Sequence, residues 1–72
     1  MNKDIDTISL RCPEPLMIVR RELRNLNKGD TVTVTADDPS TERDFKLLCM
    51  HMGYTLISQS KEDDILLFKI QK

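Results

Sequence analysis

Tryptophan is absent from this chain and tyrosine occurs once, so few rings are available for stacking on nucleic-acid bases. Neither sign of charge prevails, since eleven Lys and Arg face twelve Asp and Glu. Phosphate binding rests on a basic excess, so nucleic acid is not expected to be the main partner. There is no long apolar run and the opening Met1-Asn2-Lys3-Asp4 is polar. Neither a signal peptide nor a membrane span is therefore expected. Cysteine occurs only twice, too rarely for a disulfide scaffold, and a reducing, cytoplasmic setting follows as the expectation. No pattern recurs at a fixed spacing, no stretch is of low complexity and no linker interrupts the chain. Residues 1–72 read as one domain with a modest core.

What the chain does have is Leu10-Arg11-Cys12-Pro13-Glu14-Pro15, a cysteine placed where an extended segment is expected to turn into a helix. Proline suits the first helical turn, where amide hydrogens lack intrahelical partners and its fixed φ is already helical. Pro13 also disfavours the α conformation at Cys12, which predicts Cys12 just outside the helix as its cap. A thiol there would face free amide hydrogens and the positive end of the helix, both of which favour an anion. The thiolate is the reactive form of cysteine.

Periodicity predicts the remaining elements. Residues 4–11 alternate as a first strand with Ile8 and Leu10 inward. Leu16, Val19, Leu23 and Leu26 follow helical spacing from Pro13 to about Asn27, with Gly29 as the stop. Thr31 to Ala36 has high β propensity, with Val32, Val34 and Ala36 on one face. Asp38-Pro39 reads as a cap followed by a first helical proline. Phe45, Leu48, Cys49 and Met52 form the apolar stripe of the second helix, which Gly53 closes. Tyr54–Ser60 and Ile65–Gln71 are two more strands, joined through a Lys61-Glu62-Asp63-Asp64 hairpin loop. The order βαβαββ implies two helices on one face of a four-stranded mixed sheet. Its first two strands should be parallel, which brings Cys12 beside the segment Asp37–Thr41 at one sheet edge.

A free cysteine has a pKa of about 8.5, and a helix terminus is typically worth about 0.3–1 kcal/mol. Arg11 would add to this and Glu14, Asp37 and Asp38 would oppose it, so a modestly lowered Cys12 pKa is expected. The only histidine, His51, falls in the last turn of a helix that runs away from the cysteine edge. A cysteine–histidine pair for amide or ester cleavage is not expected. Thiol exchange and persulfide transfer ask less, namely an exposed and partly ionised sulfur that a partner's cysteine can approach. Cys49 reads as a packing residue, about 15 Å from the reactive edge at about 1.5 Å per residue. Neither a disulfide with Cys12 nor a metal site is expected.

The run Leu10–Pro15 carries a Cys-Pro-x-Pro pattern that resembles the signature of the TusA (SirA-like) family of sulfur-carrier proteins. Ala36-Asp37-Asp38-Pro39 with Ser40-Thr41-Glu42-Arg43-Asp44 resembles that family's second conserved segment, and length and element order agree over the whole chain. The resemblance implies a two-layer α/β sandwich with Cys12 as the catalytic residue, supported by Arg11, Pro13, Glu14 and Pro15. It implies a transient persulfide on Cys12, typically accepted from a cysteine desulfurase and passed to a downstream sulfur-relay protein, with no metal or organic cofactor. In well-known members the relay supplies tRNA 2-thiouridine, and relatives feed other sulfur or molybdenum-cofactor pathways. One departure is Ser9, where many members have glycine.

Asp37, Asp38, Arg43 and Asp44 are candidates for a partner-docking surface. Arg20, Arg21 and Arg24 read as a solvated face, with steering toward an acidic protein or a glancing tRNA contact as the alternatives. Direct tRNA contact is not expected. His51 reads as a surface histidine, and Met50 and Met52 need no special role. A rival of another class is a non-catalytic RNA- or protein-binding regulatory module, since the fold resembles the C-terminal domain of a bacterial translation initiation factor. Its binding would survive loss of Cys12 and weaken with added salt. A thiol redox protein is a third reading, and it would need an external thiol to resolve a mixed disulfide.

Overall fold

The computed structural model describes residues 1–72. Threonine alternates with valine and alanine through β2, Thr31–Ala36, and the pleat sends Val32, Val34 and Ala36 to one fully buried face. β1, Asn2–Thr7, pairs with β2 in parallel, and β4, Ile65–Gln71, pairs with its other side antiparallel. β3, Thr55–Glu62, closes the far edge, so the sheet order is β1-β2-β4-β3. Helices α1, Glu14–Arg24, and α2, Thr41–Met52, complete the expected βαβαββ two-layer sandwich.

The core lies between the layers. Ile5, Val32, Val34, Leu66, Phe68 and Ile70 of the sheet meet Val19 and Leu23 of α1 and Phe45, Leu48 and Cys49 of α2. Phe45 and Phe68 pack edge to face, their ring centroids 4.8 Å apart at 83°, an arrangement favoured by the ring quadrupoles. Met52, expected in the α2 stripe, is instead exposed at the helix end.

Several boundaries differ from the periodic expectation, each where hydrogen bonding or strand pairing overrides the pattern. β1 stops at Thr7 rather than running to residue 11, and its buried residues are Ile5 and Thr7, not Ile8 and Leu10. Parallel pairing sets Ile5 beside Val34 and Thr7 beside Ala36, so those two share the core face. The chain then turns, with the Leu10 N–H donating to the Thr7 carbonyl at 3.1 Å and Ser9 at φ 72°. α1 ends at Arg24, short of Asn27, where the Lys72 ammonium donates to the Arg24 and Leu26 carbonyls at 3.2 and 2.7 Å. A cation there suits the negative end of the helix. Gly29 is therefore not the helix stop. It sits in the following turn, with its N–H donating to the Lys72 carbonyl. The hairpin turn shrinks to Asp63-Asp64, since Lys61 and Glu62 pair with Leu66 and Ile65.

Replacing Phe68 with alanine should cost about 3–5 kcal/mol, the usual penalty for a large core aromatic. A domain of this size has about 4–11 kcal/mol in total. Urea unfolding should show the stability of the variant lowered by that amount, between about a quarter and all of the total.

Candidate functional site

Because β1 and β2 run parallel, their C-terminal ends share one edge, and each chain leaves that edge toward a helix. Two adjacent carboxylates join the departing loops. Asp37 Oδ1 accepts the Ser9 N–H at 3.0 Å and Arg11 Nη1 at 2.8 Å. Asp38 Oδ2 accepts the Cys12 N–H at 2.8 Å, and its Oδ1 accepts both the N–H and the hydroxyl of Ser40 at 3.0 Å. The Asp38 carbonyl accepts the Thr41 N–H and hydroxyl, at 3.0 and 2.7 Å. Asp38 is thus saturated with donors although only 8% exposed, as a buried carboxylate must be. These donors, the Cys12 N–H foremost, hold the Asp38 carboxyl below the usual carboxylate range. The Arg11 guanidinium, followed by the Ser9 N–H, does the same for Asp37.

The start of α2 is accordingly not the expected one. Asp38 makes a turn with Ser40, two residues on, and the helix begins at Thr41 with Ser40 as its cap residue. Pro39 stands ahead of the helix rather than at its first position. At α1 the cap residue is Pro13, so Cys12 lies one residue further out than the cap position the sequence suggests. The Cys12–Pro13 peptide is cis. Pro15 is buried in the first turn, while Glu14 is exposed and lines a shallow groove along α1 with Met17, Arg20 and Arg24.

The two cysteines have opposite settings. Cys12 is exposed at the edge. Cys49 is in the core, 6% exposed, and its pKa is raised by burial. The Cys12 pKa is also raised, contrary to the helix-terminus expectation. The Asp44 carboxylate is the chief cause, with partial desolvation next and Asp38 adding repulsion, while the Ser40 hydroxyl opposes the rise. Cys12 stands outside the first turn of α1, and the guanidinium of its neighbour Arg11 is engaged with Asp37. The favourable helix field is therefore outweighed by carboxylates.

Of the residues singled out from sequence, Arg11, Cys12, Asp37, Asp38 and Asp44 come together at this edge. Arg43 instead points to solvent, its Nε 4.0 Å from Asp44. Sequence reasoning missed Ser40, whose signal was an Asp-Pro-Ser turn read as a plain helix cap. It also missed Lys61 and Asp64, which with Arg11, Asp37, Pro39 and Glu42 line a cleft of about 350 Å³. The hairpin reaches this edge because Leu66 pairs with Ala36, a tertiary fact with no local signal.

The fold and the edge define a small α/β protein that presents a single exposed thiol beside the paired loops. A sequence model of the family described as Sulfurtransferase TusA matches residues 3–72. The chain belongs to the TusA sulfurtransferase family. Its structure is similar to the crystal structure of a SirA-like protein from Desulfitobacterium hafniense, with a TM-score of 0.86 at 25% identity, covering 99% of this chain and 96% of that one. The Ser9 departure now has a physical meaning, because φ 72° is the left-handed region that favours glycine.

Ser9→Gly should relieve about 1–2 kcal/mol of left-handed strain and lose about 0.4–1 kcal/mol to greater freedom of the unfolded chain. A net stabilisation of up to about 1.6 kcal/mol should appear as a higher urea midpoint. The depressed Asp38 pKa carries a pH sign. Its contribution is fully present above the unfolded value of about 3.9 and is lost as pH falls through the lower folded value. Protection of the Cys12 amide in hydrogen exchange should persist from neutral pH to below about 4. Asp38→Asn, which sets an amide donor against donor groups, should speed that exchange about tenfold or more.

Proposed function

We propose that this protein is a sulfur carrier in which Cys12 holds the transferred atom as a persulfide. The observation that carries the reading is the exposed Cys12 thiol in a chain of this family whose other cysteine is enclosed in the core. The Cys12 thiolate attacks the outer sulfur of a donor protein's persulfide. The donor sulfur leaves as a thiolate and Cys12–S–S⁻ remains. An acceptor cysteine then attacks the terminal sulfur, and Cys12 departs in turn as the leaving group. The step needs no metal or organic cofactor.

A cysteine desulfurase fits the donor role and a downstream relay protein the acceptor role, with tRNA 2-thiouridine as the end product. A reducing, cytoplasmic setting suits a thiol that must stay free. No helix is long and apolar enough to cross a membrane. Arg11, Pro13, Glu14 and Pro15 support the cysteine by shaping its loop and the start of α1. Asp37 and Asp38 at the edge, and Arg43 exposed on α2 near Asp44, offer charged contacts to the incoming partner.

Incubation with a cysteine desulfurase and free cysteine should add one sulfur atom to the intact mass. Cys12→Ser should abolish the gain and Cys49→Ser should preserve it. Sulfur gain that persists without Cys12 would overturn the assignment.

A further inference from the structure

Resting on the sulfur-carrier reading, we propose that Asp38 is a positioning residue for sulfur transfer, a covered carboxylate that fixes the Cys12 backbone so that Sγ meets the donor's outer sulfur in line. Displacement at sulfur needs the attacking, outer and leaving sulfurs close to one axis. A misplacement of about 1 Å can cost about a hundredfold in rate. A cysteine side chain has a single rotor, χ1, between its backbone and its sulfur. The place of Sγ therefore follows from where the backbone of residue 12 is held.

That backbone has one anchor. The Cys12 N–H donates to Asp38 Oδ2 at 2.8 Å, and the Cys12 carbonyl accepts no hydrogen bond. The nearest backbone bonds belong to its neighbours. The Glu14 N–H donates to the Arg11 carbonyl at 2.9 Å, and the Met17 N–H to the Pro13 carbonyl at 3.0 Å. Pro13 has no N–H to add. β1 ends at Thr7 and α1 begins at Glu14, so neither strand nor helix holds Cys12 directly. Asp37 does not duplicate the anchor, since it takes the Ser9 N–H and the Arg11 guanidinium.

Asp38 is itself held firmly. Its Oδ1 and its carbonyl take the four donors of Ser40 and Thr41. Thr41, 1% exposed, opens α2, whose Phe45 and Leu48 lie in the core. Ala36, two residues before Asp38, is buried at the end of β2. The carboxylate thus passes the rigidity of the core to an exposed loop, as a preorganised site requires.

The transfer balances without an oxidant. Cys12–SH and R–S–SH give Cys12–S–SH and R–SH. Cys12 Sγ bonds to the outer sulfur, the bond from that sulfur to the donor sulfur breaks, and its electron pair leaves on the donor sulfur. The proton lost by Cys12 is matched by the one the donor takes up. Asp38 acts on this step only through the backbone it holds.

The test is the steady-state rate at which a cysteine desulfurase, supplied with free cysteine, adds sulfur to the full chain over a range of chain concentrations. Asp38→Asn should lower kcat about ten- to a hundredfold and leave KM within about twofold. Asp38→Glu keeps the charge on a longer arm and should not restore kcat. Iodoacetamide is small and approaches from any side, so Cys12 alkylation at pH 7 should not slow in either variant. A chain made by chemical ligation with an ester oxygen in place of the Cys12 N–H keeps every side chain and should lose kcat alike. An unchanged kcat in Asp38→Asn or in the ester chain overturns the proposal. So does a rise in KM alone, full recovery in Asp38→Glu, or alkylation that slows in step with transfer. If the unaltered chain gains no sulfur, the carrier reading fails instead.

Discussion

The hydrogen bond from the Cys12 amide to the Asp38 carboxylate is the contact on which the edge of this molecule depends. It crosses 26 positions of sequence and joins the loop after β1 to the loop after β2. A charged acceptor in a covered site makes a stronger bond than a neutral one, and Asp38 leaves none of its oxygens unpaired. The same side chain that holds the cysteine loop also turns the chain into α2. Cysteine and second helix are thereby placed by one group, and Asp37 repeats the device one residue earlier through Ser9 and Arg11.

That economy has an electrostatic consequence. The carboxylates that fix the loop lie close to the sulfur they position, and Asp44 is added to them from α2. Helix N-termini favour anions, but the effect fades within a turn, and Cys12 stands before the cap. The exposed thiol is therefore accessible, and its pKa is raised rather than lowered by its surroundings. Cys49 has its pKa raised in another way, by enclosure in the core.

Much of the fold was legible because its signals are local. The Thr-Val alternation of β2, the stripe of Val19 and Leu23, and Gly53 at φ 74° behave as their residue types require. The opening strand was misphased because Ile5, Ile8 and Leu10 do not share one parity, and only pairing with Val34 and Ala36 decides which counts. The Asp38-Pro39-Ser40 turn was misread for a similar reason. Aspartate before proline suits a helix cap and a turn equally, and the Cys12 amide that draws Asp38 away comes from a distant segment.

The sequence by itself determined the order of elements, the placing of Cys12 between a strand and a proline-started helix, and the meeting of Cys12 with the Asp37–Thr41 segment. Those follow from periodicity, from proline's fixed φ and from the handedness of strand–helix–strand units. Only the tertiary structure decided the direction of the Cys12 pKa shift and the arrival of Lys61 and Asp64 at the same edge. A pKa is the sum of fields from groups brought near by folding, and such a sum depends on distances that no spacing along the chain encodes.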